Sequence, residues 1–422
     1  MKSRIRWWVK RVARKVSRAA GNGEFLSAGI ACLGLALAGL GGGIITPALQ
    51  EAHGQTSNSR NLRYTIQDLG AVGANLSQPG QPFVISNSGW ISGAALVGAA
   101  EHAVLWRDRK MIDIGDPGLG GNSMAYGVSD WGVVSGEAET TAKGLSTTED
   151  FCAFQAGGFT SSPTPCVPFI WRNGRMDRLP TLGGVNGIAN GINNWDAIAG
   201  YAENTTLDKG CTAPQKYQFK PVVWFRGGIQ ELPTGSDAEG LAFAINDWGQ
   251  VAGASGSCAP LNPVWGFYFL PSHALLWKNG YAIDLGNLGG AMNNLAHDVN
   301  NLDQVVGGSD LAGDATSHAF LWTPDTRKMQ DLGTLSGDFY SFGLGINDAG
   351  QIVGISANAD FSVVRAFVRH NGALSDLNTL VTGSNSLFLV TACSINSKGE
   401  IIGIGLDPKT GVTHGYMATP AP

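Results

Sequence analysis

Ile346-Asn347-Asp348-Ala349-Gly350-Gln351-Ile352-Val353-Gly354 decides how the chain is read. An aliphatic residue precedes Asn, a polar residue, a variable one and Gly, and an apolar run then closes on Gly. The phrase occurs seven times, beginning at Ile85, Val128, Ile192, Ile245, Val299, Ile346 and Ile395 and ending at Gly93, Gly136, Gly200, Gly253, Gly307, Gly354 and Gly403. Self-similarity at a period of about 45 to 60 residues means one supersecondary unit stacked repeatedly. The polar phrase reads as a hairpin turn, opened by Asn or Asp and closed by a left-handed Gly. Asp196 and Asp303 replace that Gly in two units, and Asp tolerates the same backbone better than most residues.

Each unit supplies four strands. Strand a runs into the phrase and strand b is its apolar run. Strand c follows a variable loop, as in His273-Ala274-Leu275-Leu276-Trp277 and His318-Ala319-Phe320-Leu321-Trp322. A tight turn such as Asn173-Gly174, Asn279-Gly280 or Asn371-Gly372 leads to strand d, which ends in Asp-Leu-Gly or a variant. Four antiparallel strands repeated seven times predict an all-β, seven-bladed β-propeller. The repeat region enters on a lone strand d, Tyr64 to Gly70, and leaves on a lone strand c, His414 to Ala418. Pairing these two in the last blade closes the ring and protects its edges.

His318 to Trp322, Met329 to Leu335 and the phrase at Ile346 to Gly354 together closely resemble the bacterial extracellular repeat family called HAF after its His-Ala-Phe strand. The resemblance covers nearly the whole repeat region, although units two to four carry insertions and the seventh is degenerate. It implies secretion and a propeller-like repeat, and it carries over no catalytic residue.

Composition agrees with many short strands: Gly accounts for 60 of 422 residues and only 14% are charged. Three regions are expected: 1–55, a basic flank with a signal peptide or membrane anchor; 56–63, a linker; and 64–422, the propeller. Eight basic residues from Lys2 to Arg18 precede an apolar stretch from Phe25 to about Leu49. That stretch is long enough to span a bilayer. No clean Ala-x-Ala site marks a cleavage point, so a removed signal and a retained anchor both fit. Either one exports the rest of the chain to the periplasm, cell surface or medium.

Residues 1–24 carry a net +7, so of the net −5 the remainder carries −12. Such a surface argues against nucleic acid, whose affinity comes from phosphate neutralisation by Lys and Arg. Membrane contact is expected only through the N-terminal segment, and a monomer is expected. Cys152, Cys166, Cys211 and Cys258 lie in insertions, and the expected disulfides are Cys152 with Cys166 and Cys211 with Cys258. Cys393, in a repeated strand, reads as a small buried residue.

Repetition also discounts residues. His102, His273, His318 and His414 share one strand position and read as structural, hydrogen-bonded to a neighbouring blade. The Trp at the end of strand c reads as packing between blades, and the Asp of Asp-Leu-Gly as a strand-end acceptor. The turn face is short and uniform, whereas long insertions gather on the opposite face, which makes that face the expected binding face.

Departures from the repeat nominate the site. Three residues before the Asn or Ser of the phrase stand Phe83, Tyr126, Asn190, Phe243, His297, Leu344 and Cys393, in a strand that lines the channel. His297 beside Asp298 breaks the column and offers an acid or base. Glu239, Asp338 and Tyr340 sit in loops near the same mouth. The ligand-binding candidates are therefore Tyr126, Asn190, Glu239, Phe243, His297, Asp298, Asp338 and Tyr340. No P-loop, dinucleotide fingerprint, His-Glu-x-x-His or Gly-x-Ser-x-Gly motif is present. No metal or cofactor is expected. The leading reading is an exported, non-catalytic propeller that binds a cell-surface glycan or protein. Its rival is an enzyme cutting an extracellular polysaccharide with His297 and Asp298.

Overall fold

The computed structural model describes residues 62–72, 81–97, 100–108, 110–115, 121–140, 165–211, 215–258 and 269–421. The N-terminal segment and Cys152 lie outside these residues. The described strands form seven four-stranded antiparallel sheets, a seven-bladed propeller. A unit such as blade four runs Glu239–Ile245, Val251–Cys258, Phe269–Lys278, Tyr281–Asp284, each strand paired with the next. Among the described residues no helix is long and apolar enough to cross a membrane.

The two ends of the chain close the ring as the lone strands predict. Tyr64–Val72 pairs antiparallel with Thr413–Pro420, Tyr64 opposite Pro420 and Asp68 opposite Tyr416. Tyr64 and Tyr416 are fully buried there.

The hairpin reading holds in backbone detail. Gly132, Gly249 and Gly350 take positive φ at the turn position, and so do Asp196 at 61° and Asp303 at 59°. Both Asp side chains are held by a cation from strand c, Arg172 at 3.2 Å and Lys278 respectively.

Pairing of strands a and b contains one feature the sequence reading lacked. In every blade the register slips by one residue just before the phrase, leaving an extra residue on strand a, and the last blade slips a second time at Val390. The extra residues are Phe83, Tyr126, Asn190, Phe243, His297, Leu344 and Cys393, the column already singled out. A β-bulge bends its strand and re-aims a side chain, and Tyr126, Asn190, Phe243, His297, Leu344 and Cys393 of this column line the channel.

The same bulge accounts for the closing Gly of the phrase. A Cβ on Gly136, Gly200, Gly253, Gly307, Gly354 or Gly403 would lie 1.9 to 2.2 Å from a strand a carbonyl oxygen, against the 3.0 Å that real Cβ contacts keep. The aromatic ring of strand c covers the bare backbone: Trp224 faces Gly200, Trp277 faces Gly253, and Phe367 faces Gly354. Two of these Trp residues also tie blades together, Trp224 donating to the Pro180 carbonyl at 2.7 Å and Trp277 to that of Pro233 at 2.8 Å.

The repeated His does not reach to the neighbouring blade in most units. His102 pairs with Asp113 at 3.1 Å, His318 with Asp331 at 2.9 Å and His414 with Asp68 at 2.9 Å, the Asp of Asp-Leu-Gly in the same blade. Register is the reason: Asp331 sits opposite Phe320, so it shares a sheet face with His318 two residues earlier. The exception is His273, which takes Asp237 from the preceding loop at 2.8 Å.

Candidate functional site

The hairpin tips of strands a and b surround one channel mouth, and three residues of the phrase build it in layers. Asn193, Asn246, Asn300, Asn347 and Asn396 come first. The Asn246 Oδ1 accepts from the N–H groups of Trp248 and Gln250, which fixes its own turn. Each amide then donates to the carbonyl of its counterpart in the next blade, at 2.9 to 3.1 Å, the last reaching Ser86. This Asn is therefore structural, as its repetition implies.

The next position runs Asn87, Asp130, Asn194, Asp247, Asn301, Asp348, Ser397, alternating amide and carboxylate around the ring. Asn194 donates to Asp130 at 3.0 Å and to Asp247 at 3.1 Å, and Asn301 donates to Asp348 at 3.1 Å. The third position is the tip. Trp131, Trp195 and Trp248 stand there on consecutive blades, 76%, 70% and 75% exposed, followed by Leu302 at 57%. Inside this rim lies a cavity of about 180 Å³, lined by Asp130, Asp247, Asp298 and Asp348 with no Lys or Arg among its lining residues.

A second cavity of about 170 Å³ lies deeper in the channel, lined by Tyr126, Asn190, Phe243, His297, Asp298, Leu344 and Cys393 among others. Five sequence-nominated residues thus meet at one place. The His297 Nδ1 donates to the Leu344 carbonyl at 2.9 Å. A carbonyl can only accept, so Nδ1 carries the proton and Nε2 remains an acceptor. Burial lowers the pKa to about 4 and keeps the ring neutral. It stacks on Phe243 with centroids 5.9 Å apart.

Asp298 accepts from the Val299 N–H at 2.8 Å and, across the blade boundary, from the Ile346 N–H at 2.9 Å. Burial raises its pKa to about 6. Asn190 donates to the Ala242 carbonyl of the next blade at 2.8 Å. Asn190, His297 and Asp298 therefore join blades, and both members of the His297 and Asp298 pair are engaged with backbone.

Toward the insertion face the channel is filled by apolar side chains, among them Met124, Tyr201, Phe219, Phe342 and Phe361. Buried carboxylates border this plug. Glu137, 2% exposed, accepts from the Tyr126 hydroxyl at 2.6 Å. Burial above all, with Glu139 and Glu101 adding repulsion, raises its pKa to about 8. Glu239, 1% exposed, accepts from the Phe219 N–H at 2.9 Å and Gln215 at 3.2 Å, and burial raises its pKa to about 8. Asp338 pairs with Arg365 at 2.9 Å, and Tyr340 stacks on Phe361 at 4.7 Å. Glu239, Asp338 and Tyr340 do not line the channel cavities described above.

Cys211 and Cys258 are disulfide-bonded as expected, their Cα atoms 4.9 Å apart. Glu239 lies beside them, but sulfurs bonded to each other are not thiolate ligands, so this cluster is no metal site. The pairing of Cys152 with Cys166 lies outside the described residues. Cys393 is buried and is not a free thiol.

Two groups escaped the sequence reading. Trp131, Trp195 and Trp248 fall in a turn already judged uniform, and only the recurrence of a large aromatic ring at a polar tip marked them. Glu137 stands where the other units carry Ala94, Tyr201, Ala254, Gly308, Ile355 and Ile404, a charge in an apolar column.

No family model and no curated protein sequence matches the chain. Solved structures resemble it in fold. They include TolB from Acinetobacter baumannii, with 11% identity, TM-score 0.35, and 64% of this chain and 62% of that chain covered. Prolyl endopeptidases match with 9% identity, TM-score 0.48, and 85% and 50% covered. Oligogalacturonate lyase from Vibrio parahaemolyticus matches with 11% identity, TM-score 0.33, and 81% and 77% covered. The chain spans about three fifths of the TolB chain and half of the endopeptidase chain. At these values the similarities carry no argument, and the propeller rests on the strand pairing described above.

Proposed function

We propose that the protein is an exported, non-catalytic propeller that binds a cell-surface partner, a glycan or a protein, at the mouth framed by its hairpin tips. The exposure of Trp131, Trp195 and Trp248 around a polar cavity carries this reading. Large aromatic rings held in solvent on rigid turns, rimming a concavity, are the residues that supply binding energy when covered. The Cys211–Cys258 disulfide suits an oxidising compartment outside the cytoplasm. The absence of catalysis is inferred from Asn190, His297 and Asp298 in the channel, whose hydrogen bonds go to backbone.

The test is a glycan array probed with the full-length protein, with product release recorded in the same wells. Binding that falls at least tenfold in Trp131→Ala/Trp195→Ala/Trp248→Ala, without release of product, supports the reading. The rival, an enzyme acting on an extracellular polysaccharide, draws on the buried and protonated Glu137 beside Tyr126. Turnover lost in His297→Ala or Glu137→Gln, and kept in the Trp variant, establishes the rival instead.

A further inference from the structure

We propose that the partner at the hairpin mouth is a protein presenting a basic segment, one Lys or Arg side chain of which enters the cavity while flanking residues cover the Trp arc. This rests on the binding reading above and names its ligand class. The arc itself is Trp131, Trp195, Trp248 and Leu302, exposed on four consecutive blades, and the charge beside it selects the occupant.

Charge at the cavity is one-sided. Both amide N–H groups of Asn194 go to Asp130 and Asp247, and Asn301 gives one of its two to Asp348. The inner Asn donors are spent on carbonyls. Each carboxylate oxygen of Asp247 and Asp348 accepts one such bond and keeps a lone pair. Amide donors remain on Asn87 and Asn301, but the formal charge among the lining residues is all negative, and carboxylates with free lone pairs match an ammonium or guanidinium. Arg172 and Lys278, strand c cations beside these turns, are already paired with Asp196 and Asp303, while the exposed Lys398 at the tip of the seventh hairpin is one positive charge against the carboxylates of Asp130, Asp247 and Asp348 and does not line the cavity. Trp rings at the rim add attraction for a cation over their faces. A cavity of about 180 Å³ admits a single long side chain and not a folded element. A bilayer surface is the other expected use of exposed Trp, but anionic headgroups are repelled by an acidic mouth.

The experiment measures fluorescence anisotropy of labelled decapeptides built of Gly, Ser and Leu with one central Arg, Lys or norleucine, titrated with the full-length protein. The Arg and Lys peptides should bind at least tenfold more tightly than the norleucine peptide, and weaken as salt rises from 50 to 500 mM. Asp247→Asn/Asp348→Asn and, separately, Trp195→Ala/Trp248→Ala should each cost tenfold or more when measured well below the melting temperature of each variant, with circular dichroism showing the fold retained. Equal binding of Arg and norleucine peptides, or full binding by the Asn variant, overturns the proposal. If no peptide binds while the Trp variants lose glycan binding, this proposal fails and the binding reading stands. Trp-dependent binding to phosphatidylethanolamine/phosphatidylglycerol vesicles without peptide binding replaces the basic segment by a membrane. Loss of all three sinks both.

Discussion

Gly354→Ala tests the account of the repeat most directly. A Cβ on Gly354 would lie 1.9 Å from the Phe342 carbonyl oxygen and 2.8 Å from the Phe367 ring, so relief even to 3.0 Å, the least that real Cβ contacts keep, needs a shift of about 1 Å. Gly354 sits opposite Gly343, next to the bulge, and neither neighbour yields cheaply. Moving the strand weakens ladder hydrogen bonds worth about 1 kcal/mol each. Rotating Phe367 disturbs a fully buried ring. Overpacking of this kind costs about 3 kcal/mol, the upper end of its usual range. Unfolding entropy near 2.1 cal/mol/K per residue over roughly 360 residues turns that into a melting shift of about 4 °C. Gly372→Ala is the control, since its φ of +82° carries only backbone strain with nothing within 4 Å of the added atom. That strain, about 1 kcal/mol, gives 1 to 2 °C. Scanning calorimetry of both variants decides. A Gly354→Ala protein melting within a degree of wild type, or above Gly372→Ala, would refute the claim that close approach dictates the closing glycine.

Three further outcomes follow from the buried groups. Glu137 ionises near 4.5 in the unfolded chain but at about 8 in the fold, so between these values the folded state holds the extra proton and stability falls as pH rises, by up to about 1.4 kcal/mol per unit. The melting temperature should drop from pH 5 to pH 8, and Glu137→Gln, which keeps an acceptor for Tyr126, should flatten the slope; an unchanged slope assigns it elsewhere. Opening the Cys211–Cys258 bridge, 47 residues apart, by Cys211→Ser/Cys258→Ser frees a loop whose closure is worth about 4 kcal/mol. Calorimetry should show a fall of about 5 °C, and no fall discards the staple. Tyr64→Ala, in the strand that closes the ring, removes a fully buried ring and should cost about 3 to 5 kcal/mol, read as early denaturant unfolding with faster proteolysis of the chain termini.

Blade number, ring closure and the left-handed Asp196 and Asp303 were legible because hairpin geometry is local and seven copies average out the exceptions. The bulge was not, although its residues could be aligned, because a bulge belongs to the pairing of two strands and not to either one. The partner of His318 was misassigned for the same reason: Asp331 shares its sheet face only once the register of strands c and d is known. Repetition misled in one respect. It rightly marked Asn246 as structural and thereby drew attention from Trp248, two residues on in the same turn. A repeated turn fixes its backbone and leaves its tip free, so tips are where a uniform scaffold varies.

The ring of second polar residues shows how an odd blade number constrains that face. Amide beside carboxylate is favourable and carboxylate beside carboxylate is not, so alternation suits the ring, yet seven positions cannot alternate throughout. The break falls at Ser397, between Asp348 and Asn87, in the blade that the chain ends close. Its N–H donates to Asn87 Oδ1 at 2.8 Å, and its small neutral side chain keeps a further charge away from Asp348. Ser397→Asp should therefore lower the melting temperature at 50 mM salt and recover at 500 mM, because screening weakens repulsion between exposed charges. Ser397→Asn, matched in size but neutral, should melt with the wild type at both. If both variants destabilise equally, size and not charge selects Ser397, and the alternation elsewhere in the ring loses its electrostatic explanation.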